Sequence, residues 1–447
     1  METIKLKKGL DLPIKGTPDQ AIEKGRVVQS VGLIGLDYIG LKPKMLVQEQ
    51  DSVKRGTPLF FHKDDPDAVV VSPVTGRVRE INRGARRVLQ SVVVDVEDIE
   101  DNGIEFGSLS EDASAEDIAS RLCAAGLWTS FRTRPYSKVP HHTSTPMAIY
   151  VTAMDSEPLA ADPNMVIGQR TEDFHKGLVI VAKLTTGPTY LCQSPELPFD
   201  GSTIASVTPV SFTGPHPSGL PGTHMHFLTP PKPESPVWSI SYADVLAIGA
   251  LARTGFLDPR LVVSLSGPLA KRPRLISTIT GASIDELAEG EFDSDVAVRQ
   301  LSGSVLSGRS ADGPLAYIGR YHRQITLIEE DNKQIPMGWI RPMPGKYAFQ
   351  PVLGSAFSKK LYSLTSNLNG GRRAMVPTGT FEELMPQDFL PTQLLRALLV
   401  MDTDTAQTLG ALELDEEDLG LVGFACPAKY EYGLALRECL EKIEKEG

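Results

Sequence analysis

Cysteine is scarce in this chain and never clustered. Four occur in 447 residues, Cys123, Cys192, Cys426 and Cys439, and no two form a CxxC pair. That disfavours a zinc ribbon, a disulfide framework and a four-cysteine iron–sulfur cluster. The usage suits a reducing compartment. Long apolar runs are missing as well: residues 245–252 are apolar, and Arg253 ends the run. A membrane span needs about 20 apolar residues, so membrane contact is expected only through partners. The opening "METIKLKKGLDLPIKG" is charged at once and lacks an apolar core, which predicts no signal peptide. Positive charge is also short, with 45 Lys and Arg against 56 Asp and Glu and a net charge of -11. A long nucleic-acid footprint needs clustered basic residues, so nucleic acid is not an expected partner.

Nucleotide and hydrolase motifs are absent. There is no GxxxxGK[ST] loop, no GxGxxG between a strand and a helix, and no GxSxG elbow. The usual phosphate-binding turn and serine nucleophile are therefore not expected. "LNGGRRAMVPTG" carries Gly370, Gly371, Arg372 and Arg373, which reads as a glycine-rich surface turn or as an anion-holding one.

What the chain does contain is a succession of different patterns. Its length suggests about three domains. Residues 1–102 are strand-like, and two half-motifs stand out, "LVQEQDSVKRGTPLF" and "VVVSPVTGRVREI". Each pairs apolar strands around a turn shaped by Gly56, or by Pro73 with Gly76. This is the pattern of an all-β barrel-sandwich hybrid, the biotinyl/lipoyl-like module. Residues 103–258 switch to helices among strands. "SAEDIASRLCAAGLW" and "SYADVLAIGALARTG" read as capped helices ending at Gly126 and Gly255. "PMAIYVTAM", "FHKGLVIVAKL" and "STIASVTPVSF" read as buried strands. The alternation implies a Rossmann-like α/β domain with a mostly parallel sheet. Residues 259–330 read as a β-grasp (soluble-ligand-binding) unit, with a short helix after Gly281. Residues 331–447 become helical and end acidic, notably in "ELDEEDLG". The fold class is thus α/β multidomain.

Three features bear on chemistry. Biotinyl and lipoyl domains carry their cofactor on a lysine at a hairpin tip. The only lysine between the two half-motifs is Lys63, beside His62, Asp64 and Asp65 and far from Pro73. That setting predicts no covalent cofactor. The basic run holds Arg77, Arg79, Arg83, Arg86 and Arg87. It reads as a solvated strand face and loop, or as a docking surface for an acidic partner or lipid headgroups. In "SFTGPHPSGLPGTHMHF", His224 and His226 share a face if the segment is a strand, with His216 nearby. No cysteine or carboxylate completes a ligand set there, so no metal is expected.

Longer strings carry a resemblance. "KKGLDLPIKGTPDQ", "GLKPKMLVQE", "NRGARRVLQS", "GPHPSGLPGTHMHF", "YIGRYHRQITLIEE", "NGGRRAMVPTGT" and "LELDEEDLGLVGFACPAKYEYG" resemble the NqrA family over nearly the whole chain. Its members are subunits of the bacterial Na+-translocating NADH:quinone oxidoreductase. The resemblance implies a peripheral subunit on the cytoplasmic face of the bacterial inner membrane. It implies docking on the membrane subunit NqrB and an association with ubiquinone, the one possible ligand. No redox cofactor is expected in this subunit; flavins and iron centres are expected in its partners. Catalysis is expected of the complex, not of this chain alone. A quinone neighbourhood needs apolar walls and a few polar groups. "GLIGLDYIG" offers Asp37 and Tyr38; "WTSFRTRPYSK" offers Phe131, Arg132, Arg134 and Tyr136; the third candidate is the loop with His216, His224 and His226. Each can equally serve packing or subunit contact. The alternative function is a carrier or scaffold module.

Overall fold

The computed structural model describes residues 2–197, 199–338, 341–350, 357 and 359–446. The two half-motifs build one small barrel from two sheets. One sheet holds Ser30–Ile34, Leu89–Asp98, Thr75–Arg83 and Ser52–Val53 in that order; the other holds Pro43–Met45, Pro58–His62 and Asp65–Val71. Inward side chains of these strands, Val31, Leu33, Phe60, Val78, Val92 and Val94, share one core, and an irregularity between Pro58 and Phe60 brings Leu59 into it as well. Gly56 turns with φ +91°, and paired hydrogen bonds between Gly56, Thr57 and Ser72 lock the halves together. Val93 faces the other way and is still buried, because Tyr317 of a later domain covers it beside Ile34.

The first two strands, inside the 1–102 segment, pair elsewhere. Glu2–Lys5 runs parallel to Val207–Thr213, and Asp19–Lys24 runs parallel to Arg274–Ile279. The chain thus stitches two later sheets before it makes its barrel. Neither strand has an apolar alternation strong enough to announce its partner.

The α/β layer has six strands, in the order Glu2–Lys5, Val207–Thr213, Thr189–Gln193, Ile149–Ala153, Val237–Ser241 and Arg132–Arg134. All neighbours are parallel except the last pair. The expected helices form as Ala115–Ala124 and Tyr242–Thr254. Ser114 and Ser241 accept from the third backbone N–H, and Gly126 and Gly255 take left-handed φ at their ends.

One expected strand is a helix. "FHKGLVIVAKL" lies largely within the helix Thr171–Ala182. A short apolar run does not distinguish a buried strand from a buried helix. Here Glu172 and Asp173 supply an acidic first turn, and the helix Tyr242–Thr254 buries the run. The two helices approach so closely that only glycine fits at the crossing. A Cβ on Gly177 would stand 2.0 Å from the Val245 carbonyl oxygen, and one on Gly249 would stand 1.7 Å from that of Asp173.

A second six-stranded sheet, named the third sheet because it follows the barrel and the α/β layer, runs Arg309–Ser310, Val298–Ser302, Gln324–Glu329, Arg260–Ser266, Arg274–Ile279 and Asp19–Lys24, with the short helix Ile284–Ala288. Towards the C-terminus, helices Thr380–Leu384, Pro391–Leu399, Thr403–Thr408, Gly420–Ala425 and Tyr432–Glu446 pack around Leu394, Leu398, Val422, Tyr432, Leu436 and Leu440. Among the described residues, no helix is long and apolar enough to cross a membrane.

The Gly177–Gly249 crossing gives a direct test. Gly249→Ala must push the helices apart against a packed core, and overpacking of this kind destabilises by about 1–3 kcal/mol. Urea unfolding should show the loss. A surface change such as Glu172→Ala should leave the midpoint nearly unmoved.

Candidate functional site

All four parts of the chain meet at one buried, charged junction. From the barrel comes Asp37, in the single turn Gly35–Asp37 that follows Ser30–Ile34. Its carboxylate is ion-paired with Arg309 and accepts from the Arg320 backbone N–H at 2.6 Å. Burial outweighs these contacts and holds its pKa above the ordinary carboxylate value. The Arg320 guanidinium crosses into the α/β layer. It donates to Asp244 Oδ1 at 2.7 Å and to Ser130 Oγ at 2.7 Å. Arg323 donates to the other Asp244 oxygen at 2.8 Å. Burial raises the Asp244 pKa, but two guanidinium groups and the Ser241 hydroxyl pull it below its ordinary value. Asp244 is thus both the acid at the start of its helix and the receptor for two arginines of the turn that leads into the strand Gln324–Glu329.

The network continues through Tyr321. Its hydroxyl donates to the Thr129 carbonyl at 2.9 Å, and the Arg132 guanidinium lies over its ring at 4.9 Å. Arg132 then reaches the acidic segment near the C-terminus, at 2.8 Å to Glu417 and 3.3 Å to Asp415. Arg134 is fully buried and lies 3.1 Å from Asp415, 3.3 Å from Glu417 and 4.0 Å from Asp418. Arg437 of the last helix closes the set, at 2.8 Å to Asp415 and 2.6 Å to Glu416. Three guanidinium groups thus face four carboxyls. Desolvation raises the Asp415 pKa, but Arg134, Arg132 and Arg437 more than reverse that and hold it well below the ordinary value. Asp418 moves the other way although it too faces Arg134. It is farther from the cation, and burial with repulsion from Glu417 and Asp415 pushes it up. Glu416 is raised by burial and by Asp415.

The expected residues divide between two places. Asp37 and Arg132 belong to this junction. Tyr38 lies at its edge, buried against Phe60 with ring centroids 6.1 Å apart. Phe131 turns away into an aromatic cluster with Trp128 and Trp238, at 5.4 and 5.5 Å. The three histidines are elsewhere, and the strand reading of their segment is corrected: Pro221–Leu228 is a helix begun by Pro221. Residues two apart on a helix do not share a face. His224 is buried, donates from Nε2 to the Ser218 carbonyl at 2.9 Å, and is pushed by burial to about 4. His226 faces Glu413 at 2.8 Å and Asp388 at 3.0 Å. His216 turns instead to Ser156, with its Nδ1 3.1 Å from the hydroxyl oxygen.

The basic run is also divided. Arg79 is spent on Asp95, Glu80 and the Tyr317 hydroxyl, and Arg77 lies 3.6 Å from Glu97. Arg83, Arg86 and Arg87 are exposed at the hairpin tip with Val88, and no carboxylate among the described residues pairs with them. Lys63 sits in the exposed turn between Pro58–His62 and Asp65–Val71, a hairpin position its sequence neighbours did not suggest. The turn with Gly370, Gly371, Arg372 and Arg373 is exposed.

Two hollows bear on ligand size. A cavity of about 70 Å³ adjoins the junction, lined by Leu33, Val70, Leu127, Tyr38, Thr129, Asp244 and Arg320 among others. Water occupies about 30 Å³ in the liquid, so this space suits a few waters and not a quinone ring. An open groove of about 880 Å³ lies between the C-terminal helices, beside Val400, Met401, Tyr430 and Leu434, away from the junction. Among the described residues one group of metal-donor side chains converges, Asp65, His141 and His142. Sequence reasoning missed both this group and the set Arg309, Arg320, Arg323 and Asp244. The histidine pair was visible in "PHHTS", and Arg320 and Arg323 in the dense charge of "YIGRYHRQ".

The class defined by this fold and site is a multidomain α/β protein with a carrier-type barrel clamped into its body by a buried ionic junction. Three family profiles match it: the NqrA N-terminal barrel-sandwich hybrid domain over residues 4–97, the NqrA second alpha/beta domain over 113–257, and the NQRA C-terminal domain over 262–313. The corresponding subunit of the Na(+)-translocating NADH-quinone reductase of Serratia proteamaculans is 49% identical over 99% of this chain and 100% of that protein. Its counterparts of the same name from Pasteurella multocida and Rhodopirellula baltica are each 47% identical, over 99% of this chain and 100% and 98% of theirs. An air-oxidized NAD+-reducing [NiFe]-hydrogenase matches at 12% identity and TM-score 0.39, over 74% of this chain and 62% of that one, too distant to carry an argument. The chain belongs to the NqrA family, one component of the multi-subunit Na+-translocating NADH-quinone reductase.

Two outcomes follow from the junction and its surroundings. Arg134→Met removes the fully buried one of three cations around Asp415, leaving Arg132 and Arg437, and should destabilise by up to about 3–5 kcal/mol in urea unfolding. The second concerns half-buried Asp155, which burial and Glu157 raise to about 7. A carboxyl raised in the folded state favours folding at low pH, and that advantage is lost as pH rises from about 4 through 7. Asp155→Asn should therefore leave stability near pH 4 unchanged and raise it above pH 7. Allowing for partial exposure, the gain should be on the order of 1–2 kcal/mol.

Proposed function

We propose that this chain is a peripheral subunit of a Na+-pumping NADH:quinone oxidoreductase, without a redox cofactor of its own. It docks on the membrane subunit NqrB at the cytoplasmic face and helps form or gate the quinone site. In this reading the middle layer is Rossmann-like and the third sheet a β-grasp domain. The observation that carries the reading is the junction itself. Asp37, Tyr38 and Arg132 gather around Arg320 and Tyr321, where barrel, α/β layer, third sheet and C-terminal segment converge. A buried network of this kind supports a rigid body that meets its partner as one piece. The cavity beside it is too small for a quinone ring, which favours quinone contact at a surface shared with a partner subunit. The exposed Arg83, Arg86 and Arg87 are the part of the basic run free to contact an acidic partner.

The purified chain should not oxidise NADH and should show no flavin absorption; turnover by the chain alone would sink the reading. In the assembled complex, a photoreactive ubiquinone analogue should label this chain only when the membrane subunit is present. Triple charge reversal of Arg83, Arg86 and Arg87 to Glu should weaken co-purification with the other subunits.

One observation favours the carrier reading. Lys63 occupies an exposed hairpin turn, as a cofactor-bearing lysine must. Its neighbours argue against it: Asp64 lies 3.5 Å from Lys42, and His62 bonds to the Gly40 carbonyl. Intact mass of the chain from cells active in lipoylation and biotinylation should equal that of the bare polypeptide. An added lipoyl or biotinyl mass on Lys63 would reverse the preference.

A further inference from the structure

We propose that the groove between the C-terminal helices receives an amphipathic helix of another subunit, an inference that rests on the reading of this chain as one component of an assembled reductase. The groove is open and about 880 Å³. One wall is the helix Pro391–Leu399 with its cap, which lines it with Gln393, Arg396, Ala397 and Val400. The other is the helix Tyr432–Glu446 with the residue before it, which lines it with Glu431, Leu434, Ala435 and Glu438. Both sets are spaced i, i+3, i+4 and i+7, which is one face of a helix. Each helix already buries a different face in the domain core, through Leu394, Leu395 and Leu398 or through Leu436, Cys439 and Leu440. The outer apolar residues stay uncovered: Val400 is 74% exposed and Leu434 64%. At the centre of each stripe sits an alanine, small enough for a third helix to pack closely across both. Seven residues of helix rise about 10 Å, so each wall offers two turns of contact.

The end of the first wall is strained. Met401 holds the left-handed position of a Schellman motif at φ +57°, with its N–H bonded to the Leu398 carbonyl and the Asp402 N–H to that of Ala397. Glycine is the usual residue there. Methionine instead puts a flexible thioether at the groove, a side chain suited to packing against a partner. The charges describe that partner. Arg396 stands on one wall and Glu431 and Glu438 on the other, and among the described residues none of the three has an ion pair. Arg437, one position before Glu438, turns inward and pairs with Asp415 and Glu416. Unpaired charges of opposite sign on facing walls of an apolar groove complement a helix that carries acid towards Arg396 and base towards Glu431 and Glu438. A neutral ligand leaves those charges unmatched, and an added strand needs a free sheet edge that two helices do not offer.

A photoreactive amino acid placed at Val400 or Leu434 of the full chain, in cells that assemble the whole complex, tests this. Irradiation and mass spectrometry of the purified complex should find an adduct on a helix of another subunit with apolar residues at i, i+3 or i+4, and i+7. The double variant Val400→Asp/Leu434→Asp, at exposed side chains, should lower retention of this chain in the detergent-purified complex about 10-fold or more. It should keep the melting temperature of the isolated chain. Adducts only to a second copy of this chain, only to lipid, or to nothing would overturn the proposal, as would full retention of the double variant. A parent chain that co-purifies with no other subunit would overturn the underlying reading as well, which separates the two failures.

Discussion

The buried ion pair between Arg134 and Asp415 is the contact on which the assembled shape depends. Arg134 lies on the edge strand of the α/β sheet, and Asp415 lies some 280 residues later in the chain, in the acidic segment. Taking either charge out of water alone is prohibitive, while together, with Arg132, Arg437 and Ser137 adding further contacts to Asp415, they are tolerated. Such a pair adds little net stability over an apolar one. What it adds is a single permitted arrangement, since any slip leaves a charge buried without a partner. The C-terminal helices are fixed to the α/β layer on those terms.

The same logic joins the other parts. Arg320 links Asp37 of the barrel to Asp244 of the central helix, and Arg323 doubles the hold on Asp244. The turn that leads into the strand Gln324–Glu329 contributes these cations, and the barrel and α/β layer contribute the acids. Covalent connection reinforces the design: the first 24 residues add one strand to each of the two larger sheets before the barrel begins. A barrel that in a carrier protein would swing freely is tied at several points. Its hairpin with Lys63 retains the outline of an arm, while Tyr317 seals the opposite sheet.

Signals in the sequence were legible where their cause is local. The helices after Ser114 and Ser241 begin at serine caps and end at Gly126 and Gly255, all chemistry within a few residues. The barrel was legible because its strands alternate and Gly56 turns between them; Gly76, read as shaping a turn, instead lies in the strand Thr75–Arg83, where a Cβ would stand 1.8 Å from the Asp95 carbonyl oxygen. The helix Thr171–Ala182 was not legible, because its apolar run 178–182 is too short to separate a buried helix from a buried strand; the exposed Glu172 and His175 that mark its outer face lie before that run. His224 and His226 followed the same error: once Pro221 starts a helix, their spacing places them on different faces.

The charged residues show the boundary most plainly. Composition and motif content alone argued against cysteine clusters, a phosphate loop and a membrane-spanning helix, and the succession of patterns set the order of the domains. Asp37 and Arg132 could be named from their apolar surroundings. Which acid meets which arginine was decided only by the tertiary structure, and so was the meeting of Asp65 with His142. An ion pair is selected by desolvation and distance, and neither exists until strands far apart in the chain have packed together.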